Sequence, residues 1–438
     1  MRKLGLWFLL TLVIGVLAVA AAGCGGDDDG DGGGVTALPA AACEQMRYEG
    51  EGEPDFLIAS DLPLQGANRS LTTEMADAIE FVLNQREWTA GDYTIGYQSC
   101  DDSTAQAGSW DSAKCSSNAR AYANNQDVIG VVGTFNSGCA KLEIPVANRA
   151  PDGPLAYVSP ANTYPGLTIG GPGTEAGEPD NYYPTGNRNY ARVVWNDQFQ
   201  GAAGAQLAED LGLKNVYVLT DRETYGNGIA NLFVRYAQKL GIQTAPAQPQ
   251  AWDKNATSYE AIGARIRASG ADGIFLGGIV CNNGGKLIKD LRAAVGNDVT
   301  IIGPDGWTPI SATVQGAGAA AEGMYITQPG IPPDQLKGRG KEFVDAWTSE
   351  KGQAPDPYTM YAAQAAEVLL DSIADSDGTR PSVAEGLFNR EVSDGLLGSF
   401  EIDENGDTTL GTVAVFIVKS GEGTFEKTIT PELSFVKG

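Results

Sequence analysis

The chain of 438 residues contains no histidine, and this absence removes several kinds of chemistry. Catalytic triads with an imidazole base and imidazole zinc sites are excluded. The glycine-rich dinucleotide motif, the P-loop motif and the nucleophile elbow of the α/β hydrolases are also missing. None of the six cysteines belongs to a CxxC pair, which argues against a metal site. We therefore expect neither an enzyme nor a bound cofactor or metal.

Basic residues are few compared with acidic ones. The sequence has 30 Lys and Arg against 55 Asp and Glu, which gives a formal net charge of −25. A surface of this sign repels nucleic acid and anionic lipid headgroups, so we expect neither as a partner. Solubility alone also accounts for an acidic surface.

The N-terminal segment has the pattern of an export signal. A basic start and an apolar run occupy residues 2–22, and small residues precede Cys24. This order is typical of a secretory signal, although the run is also long enough for a retained membrane span. Residues 21–24 resemble a bacterial lipobox, so we predict a lipoprotein signal peptide over 1–23 and lipid on Cys24. A Gly- and Asp-rich run then opens a predicted flexible tether over 24–50.

If Cys24 carries lipid, an odd number of cysteines remains. These are Cys43, Cys100, Cys115, Cys139 and Cys281. In an oxidising compartment at most two disulfides can form, which leaves one free thiol. The spacing by itself does not give the pairing.

From Phe56 onward, short apolar strands alternate with segments of helical periodicity. Strands are predicted at 56–59, 93–97, 128–132, 155–158, 192–195, 216–219, 274–276, 299–302 and 413–419. Helices are predicted at 71–83, 115–123, from about 137, and at 201–211, 228–240, 259–268, 285–295 and 358–373. A Gly/Pro-rich stretch over 170–187 divides the pattern into two blocks. The fold class predicted is therefore α/β, with two lobes that each contain a doubly wound parallel sheet.

Ligands of such sheets bind at the carboxyl ends of the strands, and small polar residues stand there in this sequence. Ser137 and Thr163 each follow a predicted strand by a few residues, and Asp305 follows another. Hydroxyl and N–H groups at a helix start suit a carboxylate, and Asp305 suits an ammonium group. Together they predict a site for a zwitterion, with helix capping and a turn as the alternative roles.

At these positions the chain resembles a known family, the type I periplasmic substrate-binding proteins of the branched-chain amino acid branch, which serve ABC importers. The likeness runs from about Phe56 to about Phe416. The segments that carry it are Val131-Val132-Gly133 with Ser137, Val158-Ser159-Pro160-Ala161-Asn162-Thr163, Asp221 with Tyr225-Gly226-Asn227-Gly228, Leu276-Gly277-Gly278, Gly303-Pro304-Asp305-Gly306 and Tyr361-Ala362-Ala363.

The resemblance implies a role for each matching residue. Ser137, Ala161 and Thr163 would bind the ligand carboxylate from the first lobe. Tyr225 and Asp305 would lie on the second lobe, where Asp305 would pair with the ammonium group. Asp197 falls on a segment that the family uses at the hinge and cleft.

The resemblance also implies a hinge of three segments, near Trp195, Gln328 and Gly398. The first lobe would then comprise residues 51–195 with 329–398, and the second lobe 196–328 with 399–438.

Several positions depart from the family pattern. Asp305 stands where the family commonly has Glu, Ile279 stands where an aromatic residue often follows the Gly pair, and Leu71 stands where an aromatic side chain can close over the ligand. Trp195 and Trp307 are candidates to supply the missing aromatic surface, with core or hinge packing as the alternative.

The resemblance bears on the disulfides as well. The family can carry a half-cystine at the position of Cys100, with a partner from the loop that holds Ser137. Cys139 is the nearest candidate, and Cys115 competes for either partner.

These observations predict a lipid-anchored solute receptor on the outer face of the cytoplasmic membrane. Its expected partners are an ABC permease and ATPase and a small ligand, namely a branched-chain or other apolar amino acid or a related amide. A ligand sensor of the same fold is the alternative. An exported hydrolase is disfavoured by the missing histidine and nucleophile elbow.

Overall fold

The computed structural model describes residues 34–437. The predicted signal peptide, Cys24 and the first part of the predicted tether, residues 24–33, lie outside the described residues. Among the residues described, no helix combines the length and the apolar character that a membrane span requires.

The first sheet is mostly parallel. Strands β1 to β8 span Phe56–Leu62, Thr89–Ala90, Tyr93–Asp101, Ser103–Thr104, Ser109–Trp110, Val128–Gly133, Ala156–Ser159 and Tyr190–Arg192. Six of them form a sheet in the order β2-β3-β1-β6-β7-β8, in which β2 alone runs antiparallel to its neighbour. The short strands β4 and β5 pair separately as a hairpin. Every residue of β6 is buried, as expected for a central parallel strand covered on both faces.

The second sheet has parallel and antiparallel parts. Strands β9 to β17 span Asn215–Thr220, Gln243–Ala251, Gly273–Gly277, Thr300–Gly303, Tyr325–Pro329, Arg390–Gly395, Gly398–Ile402, Val413–Lys419 and Glu422–Ile429. Its order is β10-β9-β11-β12-β13-β16-β17, and the pairs from β10 to β13 are parallel. The last two strands join antiparallel. Strands β14 and β15 form a hairpin of their own.

Helices cover both faces of each sheet. Helices α1 to α12 span Arg69–Gln85, Ser112–Asn124, Ser137–Asn148, Asp197–Asp210, Thr224–Lys239, Glu260–Ser269, Gly284–Val295, Ile310–Ala317, Arg339–Lys351, Pro357–Ala374, Arg380–Glu385 and Leu433–Lys437. On the first sheet, α1 and α10 pack on one face and α2 and α3 on the other. On the second sheet, α4 and α5 pack on one face and α6, α7 and α8 on the other. The predicted α/β architecture with two doubly wound lobes is confirmed.

The chain passes between the lobes three times. The first passage follows β8, which ends at Arg192, so only the first residue of the predicted strand at 192–195 lies in a strand. The second passage follows β13, which ends at Pro329.

The third passage lies later than the expected position near Gly398. Residues Gly398–Ile402 form β15, and Phe400 and Ile402 belong to the core of the first lobe. The chain enters the second sheet only at Val413. The segment just after Gly398 therefore packs with the first lobe, because its apolar side chains are buried there.

The predicted tether is wrong for its second half. Leu38 and Cys43 are buried, and Cys43 forms a disulfide with Cys100 of β3. The Glu44 and Arg47 N–H groups donate to carbonyl groups of the same strand, at 2.8 and 2.9 Å. Residues 34–48 are thus fastened along the first sheet by backbone pairing and a covalent bond.

Of the pairings that the resemblance left open, Cys100 with Cys139 does not form. Cys139 on α3 instead bonds to Cys115 on α2, because these two helices pack side by side. Cys281 is the free cysteine of the described residues. The count of two disulfides and one thiol agrees with the expectation from the odd number of cysteines.

Candidate functional site

Five of the predicted site residues line one small cavity between the lobes. Ser137, Ala161 and Thr163 come from the first lobe, and Tyr225 and Asp305 come from the second. The cavity has a volume of about 30 Å³, which is room for about one water molecule. The remaining lining residues are Phe135, Asn136, Ile279, Gly306 and Tyr358.

The first-lobe side of the cavity is built at the start of α3. Ser137 is the first residue of this 12-residue helix and is buried. Its Oγ accepts a hydrogen bond from the Tyr164 N–H at 3.4 Å. Backbone N–H groups and the positive end of the helix dipole at such a position favour a negatively charged group.

A buried arginine holds the loop that carries Ala161 and Thr163. Arg192, at the end of β8, donates through Nη1 to the carbonyl oxygens of Asn162 and Tyr164, each at 2.9 Å. Its Nε lies 2.6 Å from Oδ1 of Asp407, with which it forms a buried ion pair. Because these contacts clamp the loop on both sides of Thr163, the position of that residue is fixed before any ligand arrives. The sequence pattern gave no sign of this role for Arg192.

Asp305 is the acidic group on the second-lobe side. It follows β12 and is buried. Its Oδ1 accepts hydrogen bonds from the Tyr225 hydroxyl at 2.5 Å and from Gln200 Nε2 at 2.6 Å, and its Oδ2 accepts from the Tyr358 hydroxyl. Burial raises the pKa of Asp305, and the hydrogen bonds from Tyr225, Tyr358 and Gln200 oppose this rise by stabilising the carboxylate.

Asp197 lies behind the cavity and does not line it. It is the first residue of α4, is fully buried, and donates its N–H to the Thr163 carbonyl oxygen at 2.7 Å. Burial raises the pKa of Asp197 well above its usual value, and the negative charge of Asp305 adds to the rise. Its position makes it a support for Thr163.

Trp307 does not line the cavity and has the packing role that was the alternative. Trp307 is fully buried, its Nε1 donates to the Leu276 carbonyl oxygen at 2.7 Å, and its ring packs near Trp252 in the core of the second lobe. Trp195 also has a packing role, since its Nε1 donates to the Thr412 carbonyl oxygen at 2.8 Å beside the third passage.

Three residues of the site were missed by the sequence analysis. Gln200 and Tyr358 contact Asp305, and Phe135 lines the cavity with its ring centroid 5.6 Å from that of Tyr358. Phe135 stands two residues before Ser137 in the loop after β6, so its position was a usable signal. Tyr358 lies in the first turn of α10, whose sequence is typical of a core helix. Gln200 lies on α4, where the spacing of the apolar residues does not indicate which side of the helix is buried.

Comparison with known proteins identifies the family. The model of a family described as periplasmic binding protein matches residues 58–423 of the chain. The chain belongs to this family.

Among proteins that this periplasmic binding protein is similar to, an "Amino acid binding protein" of Pseudomonas aeruginosa is 26% identical over 303 residues, which are 68% of this chain and 74% of the relative. The "Leu/Ile/Val-binding protein" of Escherichia coli K12 is 24% identical over 366 residues, or 80% of this chain and 92% of the relative. A solved structure of a leucine-binding protein from Thermotoga maritima shares the fold. It has a TM-score of 0.73 and 24% identity, and the match covers 86% of this chain and 99% of that one.

The resemblance inferred from the sequence motifs is therefore confirmed. The chain is a type I periplasmic binding protein of the branched-chain amino acid branch. Membership in this family makes it an extracytoplasmic solute-binding receptor, which agrees with the absence of recognised catalytic motifs in the sequence.

Proposed function

We propose that the protein is the lipid-anchored receptor of an ABC importer and that it binds a branched-chain or other apolar amino acid, or a related small amide. The observation that carries the proposal is the arrangement of Ser137 and Asp305. They face one cavity from opposite lobes, one at a helix start that favours an anion and the other as an acidic group.

In this structure the cavity has room for only about one water molecule, so the lobes would have to separate to admit an amino acid. The lining residues support an apolar side chain on that ligand. Phe135, Ala161 and Ile279 present hydrocarbon surface between the two polar ends. A carboxylate would bind at Ser137, Ala161 and Thr163, and an ammonium group would bind near Asp305. The names of the Pseudomonas and Escherichia relatives, an amino acid binding protein and a Leu/Ile/Val-binding protein, point to the same ligand class.

Binding would proceed by closure of the two lobes. The ligand would first contact the first-lobe groups and would then be enclosed as the second lobe rotates about the three passages near 193–196, 330–338 and 403–412. Closure is favoured only to the extent that the ligand binds the closed form more tightly than the open form. We propose the two lobes as the moving bodies on this basis.

A thermal-shift screen with the purified mature protein tests the ligand class. The branched-chain amino acids should raise the unfolding temperature, since a ligand that binds only the folded state stabilises it by mass action. Their N-acetyl derivatives, which lack the ammonium charge, and their D-enantiomers serve as matched controls and should give smaller shifts. Equal shifts with leucine and N-acetyl-leucine would contradict an ammonium site at Asp305.

Anchoring is tested separately. With Cys24 as the acylated residue, cells that express the wild-type chain should incorporate labelled fatty acid into it, whereas the Cys24→Ser variant should not. A variant that retains the label would contradict the assignment of Cys24.

Uptake distinguishes transport from the sensory alternative. Import of the labelled ligand should require both this receptor and an ABC permease with its ATPase. Uptake that is unchanged after deletion of the receptor would favour a sensor.

A further inference from the structure

We infer that Trp110 and Glu223 form a latch that holds the two lobes closed at the mouth of the ligand cleft. This inference rests on the proposed closure. Trp110 ends β5 on the first lobe, and its Nε1 donates a hydrogen bond to Oε2 of Glu223 at 2.9 Å. Glu223 directly precedes α5 on the second lobe. The bond therefore joins the two lobes directly. We call this pair the cleft latch.

The cleft latch lies next to the ligand site on both sides. The ring of Trp110 rests on Gly138, the residue after Ser137, and a Cβ added to Gly138 would come within 2.5 Å of the ring. On the second lobe, Glu223 stands two residues before Tyr225. Trp110 itself does not line the cavity. It thus reaches from the start of α3 to the start of α5, next to the cavity.

Both partners of the cleft latch are held in position by their own lobe. Trp110 is fixed by the pairing of β5 with β4. Glu223 accepts a hydrogen bond through Oε1 from Asn282 Nδ2 at 3.0 Å, and Lys254 Nζ lies 3.6 Å from the same oxygen. The same Asn282 Nδ2 group donates a second hydrogen bond to Asp221 Oδ2 at 2.8 Å. Because these contacts restrain the Glu223 side chain within its own lobe, the bond costs less conformational entropy than one formed by a freely rotating side chain.

The tryptophan of the cleft latch differs from the two tryptophans that the sequence analysis considered. Trp195 and Trp307 are engaged in packing. Trp110 instead donates its hydrogen bond to the other lobe, next to the cavity but outside its lining.

The cleft latch should affect the rate at which the ligand leaves the cleft. A bond that exists only when the lobes are closed slows opening, and it changes neither the ligand's contacts with the first lobe nor the rate of first encounter. Loss of the bond should therefore raise the dissociation rate of the ligand and leave the association rate nearly unchanged.

Trp110→Phe removes the N–H donor and keeps an aromatic ring on Gly138. We expect about tenfold faster ligand dissociation in stopped-flow measurements, the scale of one hydrogen bond to a charged group. Trp347→Phe is the matched control. It makes the same chemical change at a buried tryptophan whose Nε1 has no hydrogen-bond partner among the described residues, and it should leave the dissociation rate unchanged. Equal dissociation rates for wild type and Trp110→Phe would overturn the inference.

A second measurement does not depend on the ligand. In the ligand-free protein, hydrogen exchange at the starts of α3 and α5 should be faster in Trp110→Phe and in Glu223→Ala, and the double variant should add little to either. The inference would be overturned if exchange were unchanged in the single variants, or if the increase in the double variant equalled the sum of the two single increases. If no ligand stabilised the wild-type protein, the proposed function would fail, whereas this exchange result would still decide about the latch.

Discussion

The hydroxyl group of Tyr358 on the first lobe donates a hydrogen bond to Asp305 on the second lobe. Asp305 also accepts hydrogen bonds from Tyr225 and Gln200 of its own lobe. The acidic group of the site is therefore surrounded by neutral donors from both lobes, which stabilise its carboxylate against the effect of burial. If an ammonium group binds at Asp305 as proposed, ligand binding and lobe closure would be linked through this carboxylate.

Asp305→Asn should weaken the binding of an amino acid by about 1.5–3 kcal/mol, which is the range for a hydrogen bond to a charged group. The amide keeps the size of the side chain and removes the charge that an ammonium group requires. Titration calorimetry measures the change. The control is Asp298→Asn on an exposed loop, which should bind normally. An affinity equal to that of the wild type would refute the role of Asp305 as the ammonium partner.

Ser137→Ala should weaken binding by about 1–3 kcal/mol, because the ligand carboxylate would lose a buried hydrogen-bond donor. Ser116→Ala on the exposed side of α2 is a suitable control, since it removes the same group far from the cavity. Calorimetry with both variants checks the prediction. If the two bind equally well, Ser137 acts only at the start of its helix.

Three buried carboxyl groups predict an unusual dependence of stability on pH. Asp61, Asp102 and Glu143 are completely buried around the Cys115–Cys139 disulfide, and both oxygens of Asp102 lack a hydrogen-bond partner among the described residues. Burial raises the pKa of all three groups, with the charges of neighbouring carboxylates adding to the rise for Asp102 and Glu143. Burial, assisted by Glu223, likewise raises the pKa of Asp221 to about 7.

A raised pKa means that the folded state holds protons which the unfolded state releases. The stability that these groups contribute is present below their unfolded pKa values, near 3.8 for Asp and 4.5 for Glu, and is lost as the pH rises through the folded values. The free energy of unfolding should therefore fall as the pH rises from about 4.5 through about 7, the value to which the pKa of Asp221 is raised. In Glu143→Gln, which cannot ionise, the fall should be shallower. Chemical denaturation of both proteins at several pH values measures the difference, and parallel curves would contradict the assignment of a raised pKa to Glu143.

Removal of the Cys43–Cys100 disulfide should lower the free energy of unfolding by about 2–4 kcal/mol, the usual contribution of a native disulfide. The double variant Cys43→Ser/Cys100→Ser avoids leaving an unpaired thiol. It should also increase hydrogen exchange along residues 34–48, which the bond fastens to β3. Cys281→Ser replaces a thiol without breaking a disulfide and is the control, since the serine hydroxyl can keep the hydrogen bond to Asn68 Oδ1. Unfolding curves that coincide for all three proteins would show that backbone pairing alone holds the segment.

Elements with strong local patterns could be predicted from the sequence. The apolar run of β6 and the periodic apolar residues of α1 and α10 each lie where the pattern places them. Strand β10 was missed because it is an edge strand with two prolines and no buried residue, so it lacks an apolar pattern. Helices α8 and α9 were missed as well, and α9 buries only a narrow stripe of its residues.

The sequence by itself determined the two α/β lobes and the loops that carry Ser137, Thr163 and Asp305. These features follow from residue periodicity and from the position of polar residues after strands, and both are local properties of the chain. Only the tertiary structure decided the partners of Asp305, the disulfide pairing of Cys43, the core position of Trp307 and the contact of Trp110 with Glu223. Each of these depends on which helices and strands pack together, and residues as far apart as Gln200 and Asp305 meet only when a complete sheet and its helices have formed.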